Sequence, residues 1–216
     1  MKPNFVYSED DDVEDQLAQL GIPREVLIRA AQAGFVQRSF SLPADPVTAA
    51  GTDAWRYAVR SLRTELQHQG WRLDDPKNLP LIISDKSRVN VTVSSGDEAT
   101  GISFRVPRTK NPKGSLLEAA VARNVRQFEL FPGMLTEAEQ KFDKTIKYPT
   151  WVFLVYITDD EIRAELSLPN SFGENDHLDG WAKRIIVDIP LPDEELFTQP
   201  DDHFGPEITP VVTSKI

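Results

Sequence analysis

The sequence predicts an α+β fold: N-terminal helices packed on a mixed or antiparallel sheet of five to six strands, with an extended, proline-rich C-terminal tail. Three observations predict it. The stretch Trp151 to Ile157 is apolar on both faces, as a strand covered on two sides must be. After the polar turn Thr158-Asp159-Asp160-Glu161, the chain alternates, with Ile162, Ala164, Leu166 and Leu168 on one side and Arg163, Glu165 and Ser167 on the other. Upstream, apolar residues recur at helical spacing. The hairpin is expected at the centre of the sheet, ended by Pro169, with its polar side in solvent.

The elements follow in order. Residues 1–10 are expected to be loose. Val13, Leu17 and Leu20 mark a short helix from Asp12, stopped by Gly21. Pro23 suits a second helix start, with Val26, Leu27, Ala30, Ala31 and Phe35 as its stripe. Pro43, Pro46 and Gly51 form a linker, and Thr52 or Asp53 caps a third helix. Its apolar positions are Trp55, Val59, Leu62 and Leu66; its other face carries Arg56, Arg60 and Arg63. Strands are expected at 79–84, at 88–94 (Val89, Val91 and Val93 inward) and at 102–107 (Ile102, Phe104 and Val106 inward). A helix over 115–130 and a short one over 136–144, with Thr136 and Glu139 as a capping box, precede the hairpin. Residues 170–180 read as a polar loop, and 185–189 as the last strand. The domain boundaries are 1–50, 51–189 and 190–216.

Composition narrows the function classes. At 216 residues and 40% hydrophobic, the chain can bury a sizeable core. No run approaches the roughly 18 apolar residues of a membrane span, and MKPNFVYSEDDD lacks an apolar signal core. The sequence has no cysteine, which excludes disulfides and thiolate chemistry. These features point to a protein of a reducing compartment such as the bacterial cytoplasm, without membrane association. The net charge of −10 is unevenly placed. Residues 1–20 and 190–216 each hold six acids and one base, whereas 21–189 hold equal numbers. A mimic of DNA would spread negative charge over a folded face; here the ends carry it and keep a neutral body soluble.

Motifs of catalysis and phosphate binding by glycine loops are absent: no G-x-G-x-x-G, G-x-x-x-x-G-K-[ST], H-E-x-x-H or G-x-S-x-G occurs. His177 stands among Glu174, Asp176 and Asp179, but the calcium-loop register fails, since Gly180 at position six would put Ile186 at the place of the bidentate glutamate. No catalytic residue, metal ligand or cofactor is assigned.

Two surfaces remain. Arg105, Arg108, Lys110 and Lys113 form a basic loop, and Ser115 opens a helix whose free amides favour anions. Together they are expected to hold a phosphate of nucleic acid or nucleotide. In the tail, Phe197, Phe204, Ile208 and Val211 lie between prolines on an extended backbone, which suits docking on a protein partner. An acidic terminus is also expected to be able to fold over the basic loop.

The element order over 53–157, α-β-β-β-α-β, resembles the core of the restriction-endonuclease-like proteins. That resemblance implies an acid on the second strand and an acid-x-Lys on the third, to hold Mg²⁺ and assist water attack. Here Asn90 and Thr92 stand on the second expected strand and Ser103-Phe104-Arg105 on the third, so the site departs from the pattern; Asp85, Asp97 and Glu65 are the acids nearby. The expectation is therefore a non-enzymatic interaction or regulatory subunit of a larger complex. The alternative is a nucleic-acid-associated protein on a degenerate nuclease-like core.

Overall fold

The computed structural model describes residues 5–127 and 146–192. One seven-stranded mixed sheet organises them, in the order β1-β7-β6-β5-β4-β3-β2. Its strands are β1 (Phe5–Tyr7), β2 (Arg72–Asp74), β3 (Leu81–Ser84), β4 (Val89–Ser95), β5 (Thr150–Ile157), β6 (Ile162–Phe172) and β7 (Leu178–Val187). The helices are α1 (Asp10–Leu20), α2 (Arg24–Ser39), α3 (Ala49–His68) and α4 (Ser115–Gln127). The count of seven exceeds the expected five to six because β1 and β2 are three-residue edge strands, too short to show a period. β1 pairs in parallel with β7, so part of the segment expected to be loose is fixed at a sheet edge.

β5 is the middle strand. Trp151, Phe153 and Val155 enter one core with Val89, Val91 and Val93 of β4 and the apolar faces of α1, α2 and α3. Val152 and Leu154 enter a second core with Leu81, Ile83 and Leu116, Leu117, Ala120 and Val121 of α4. A strand apolar on both faces is thus one covered on both faces. Gly21 ends α1 at φ 70°, a conformation other residues adopt at a cost. α3 starts at Ala49, earlier than expected, and places Asp53 inside the helix, paired with Arg56 at 2.9 Å.

Three expectations are corrected. First, residues 102–107 form no strand. Ile102 and Arg105 close turns, and Phe104 and Val106 are 87% and 59% exposed. The three strands between α3 and α4 are β2, β3 and β4 instead, and α3-β2-β3-β4-α4-β5 keeps the order α-β-β-β-α-β. Second, β6 runs through Pro169 to Phe172 and β7 begins at Leu178, so much of 170–180 is strand; register shifts at Leu168 to Phe172 absorb the proline. Third, the polar side of the hairpin is not solvated.

That third difference has a specific cause. Glu165 and Arg184, neighbours on β6 and β7, are 0% and 1% exposed and face the α4 side of the sheet. Arg184 Nε donates to Glu165 Oε1 at 2.9 Å, and Ser167 Oγ donates to the same oxygen at 2.6 Å. The remaining valences hold the loop between β4 and α4: Arg184 Nη1 donates to the Arg105 carbonyl (2.6 Å) and Nη2 to that of Ile102 (3.1 Å), while the Gly101 amide donates to Glu165 Oε2 (2.9 Å). Gly101, at φ 73°, lies so close to β6 that a Cβ there would meet Arg163 Cβ at 2.9 Å. The loop itself is therefore the lid of the buried pair.

Removing one partner of a buried, hydrogen-bonded ion pair leaves an uncompensated charge, a loss of about 3–5 kcal/mol. E165Q and R184M should each lower unfolding free energy by that order in urea denaturation. The double variant should lose less than the sum of the two single losses.

Candidate anion-binding crevice

β4 and β5 run parallel, from Asn90 beside Thr150 to Ser95 beside Val155. Beyond their carboxyl ends the chain must leave the sheet, and a crevice of about 1110 Å³ opens there. In open sheets with parallel strands, ligands settle outside such ends. One wall is the start of α3, from Thr48 to Trp55; the other is the end of the β4–α4 loop and the first turn of α4, Lys110 to Leu117. Two helix N-termini thus border one space. At Gly51 in the first wall and Gly114 in the second, an added Cβ would meet nothing within 4 Å.

The loop is held along its length. The Trp181 indole donates to the Pro107 carbonyl (2.8 Å), and the Leu178 amide donates to Thr109 Oγ1 (3.1 Å). His177 Nδ1 lies 2.6 Å from the Thr109 carbonyl. Next, the Lys110 amide donates to the Ser95 carbonyl and that of Lys113 to Asp176. These bonds deliver Lys110, Lys113 and Ser115 to the crevice from a fixed backbone.

The expected basic loop is divided. Arg105 lies on the outer surface, paired with Glu98 at 2.9 Å, and Arg108 donates to the Glu174 carbonyl at 2.6 Å; neither lines the crevice. Lys110, Lys113 and Ser115 do line it. Neither lysine has an acidic partner among the described residues. Lys113 is half-buried, and desolvation pushes its ammonium down to about 8. The Gly114 carbonyl takes the amides of Leu117 and Glu118, leaving those of Ser115 and Leu116 without an acceptor among the described residues. Of the acids on the rim, Glu98 pairs with Arg105, and Asp97 accepts from the Ala99 amide without an ion pair among the described residues.

Two lining residues have other roles in the sequence analysis. Thr92, expected to be an outward strand position, is 2% exposed, faces the α4 side, and its Oγ1 has no hydrogen-bond partner. Trp55, expected in the apolar stripe of α3, is 37% exposed, because Ala54 and Ala58 take the buried face instead. Its Nε1–H donates to the Val93 carbonyl at 3.1 Å, which fixes the ring at the crevice. Periodicity shows neither: Thr92 lies in the middle of β4 and Trp55 inside α3, and an element's own period does not say which other elements border it.

Two of the acids near the nuclease-like positions, Asp85 and Glu65, serve surface ion pairs. The Arg72 guanidinium and then the Tyr148 hydroxyl hold Asp85 below the usual carboxylate range. Arg29 does the same for Glu65 through bonds of 2.7 and 3.1 Å. Asn90, on β4, donates to the Tyr148 carbonyl at 2.9 Å. Among the described residues there is no group of three or more potential metal-ligating side chains, and no helix long and apolar enough to cross a membrane. Phe197, Phe204, Ile208 and Val211, and the helix expected at 136–144, lie outside the described residues.

The lowered Lys113 value has a definite sign. The folded state holds its proton less tightly than the unfolded chain, so this group's penalty on stability is present in full below pH 8 and fades as pH rises toward 10.5. A bound anion restores the charge, so anion affinity should fall as pH rises above about 8. Calorimetric titration with inorganic pyrophosphate from pH 7 to 9.5 should show that fall as the excess over K113M, which lacks the titrating amine.

No protein-family model, curated protein or solved structure matches this chain, so the chemistry of the crevice is the guide to its function.

Proposed function

We propose that this chain is a non-enzymatic binding protein that takes the phosphate group of a nucleotide or nucleic-acid strand in the crevice at the ends of β4 and β5. The observation that carries this reading is Lys113, desolvated and without an acidic partner among the described residues, at the opening of α4. A lysine in that state is stabilised by an anion from outside the protein. Lys110 adds a second charge, and the Ser115 and Leu116 amides add directional donors at the positive end of a helix. Binding rather than turnover is favoured because Asn90 and Thr92 stand on β4, where carboxylates would be needed to hold a hard cation.

Hydrogen bonds to charged groups contribute about 1.5–3 kcal/mol each. K113M should therefore weaken inorganic pyrophosphate binding by about 10- to 100-fold in calorimetry at low salt. G114L, whose side chain has open space to enter, should weaken it comparably without loss of thermal stability. R105M, outside the crevice but freeing the rim acid Glu98, should weaken it by less than K113M does. Equal losses in R105M and K113M would refute the assignment, as would absence of binding by the unaltered chain.

The role as a subunit of a larger complex rests on a different part of the chain. Pro190 is fastened by Gln32 Nε2, 2.9 Å from its carbonyl, and the chain continues from Leu191, exposed, into the segment carrying Phe197, Phe204, Ile208 and Val211. In this second reading those apolar residues dock on a protein partner. Joint F204D and I208D changes should abolish co-purification of a stoichiometric protein while leaving pyrophosphate binding intact. Retention of that protein by the double variant would remove the tail from the interface.

A further inference from the structure

The two walls of the crevice differ in kind. The α4 wall is cationic, whereas the α3 wall presents the ring of Trp55, and the two helices pack against opposite faces of the sheet. The other three tryptophans, Trp71, Trp151 and Trp181, are buried in the cores. Trp55 alone among them is partly open, and its hydrogen bond to Val93 engages the ring edge rather than the π-face. The adjacent residue of the same strand, Thr92, brings an unpartnered hydroxyl into the lining of the space between the walls.

We infer that the ligand is a nucleoside phosphate: its phosphate lies against Lys110, Lys113 and the first turn of α4, and its base stacks on Trp55. This rests on the phosphate-binding reading above and adds the class of ligand. The ring site and the anion site lie on opposite sides of the sheet end, so the ligand needs a spacer between its aromatic and anionic parts. A ribose supplies that spacer and brings hydroxyls within the chemistry of Thr92 Oγ1. An aryl phosphate, in which the ring carries the phosphate directly, has no spacer. Stacking on one aromatic face tolerates every base, so the site discriminates nucleotides from inorganic phosphates more strongly than one base from another.

The test is calorimetric titration of the full chain with ADP, inorganic pyrophosphate, inorganic phosphate and phenyl phosphate, with tryptophan fluorescence of the unaltered chain and of W55L recorded in parallel. ADP is expected to bind at least about five-fold more tightly than pyrophosphate, the low end of base-on-aromatic stacking, and to quench the emission. Phenyl phosphate is expected to bind no better than inorganic phosphate. W55L should remove the ADP advantage and leave pyrophosphate affinity unchanged, while W55F, which keeps a ring, should retain part of it. Pyrophosphate binding with no ADP advantage would overturn the nucleotide inference alone. An equal loss of both ligands in W55L and W55F would also overturn it, since that marks a structural role for the indole. Failure of both ligands to bind the unaltered chain would overturn the phosphate reading with it.

Discussion

The structure depends on a charge pair shut away from solvent. Glu165 and Arg184 are sealed between β6, β7 and the loop that follows β4, and their hydrogen-bonding capacity is spread over a serine, two carbonyls and an amide. Such a pair is tolerable only when every valence is met. The loop meets them, and in doing so its own path is set from Gly101 to Arg105. From there, successive bonds to Trp181, Leu178 and Asp176 carry the same backbone to the opening of α4. The position of Lys110 and Lys113 is thus a distant consequence of an acid and a base on adjacent strands.

This arrangement explains why two lysines in one short loop have different surroundings from two arginines in the same loop. Arg105 and Arg108 lie where the loop crosses the sheet, with Glu98 and the 174 carbonyl at hand. Lys110 and Lys113 lie where it passes the ends of the parallel strands, and neither has an acidic partner among the described residues. The basic character of the stretch was visible in the sequence; its division was not, because it depends on where the loop meets β6 and β7.

Much of the architecture was legible from periodicity. The doubly apolar run of β5 is the central strand, and the stripes of α1 and α2 are their buried faces. The misreadings share one physical origin. Ile102, Phe104 and Val106 alternate like a strand, yet strand formation requires a partner edge, and the neighbouring edges there are already occupied. Glu165 and Ser167 alternate with apolar residues as a solvated face would, and only a cross-strand arginine from β7, about twenty residues on, changes their meaning. Thr92 and Trp55 were legible as residue types but not as crevice lining, since a single sequence does not show which elements converge.

The pairing of β1 with β7 sets a condition on how the chain reaches this state. Phe5 lies beside Lys183, so the edge closes only after nearly all of the described chain has been made. Closing so long a loop is entropically costly, and the contact yields little until the central strands are in place. β5 likewise joins β4 across the whole connection that contains α4. The local hairpins β3–β4 and β5–β6 are the segments able to form early. During synthesis on the ribosome, the parallel seam at the ends of which the crevice lies is assembled late, so the nascent chain presents the separate walls of the site before it presents the site.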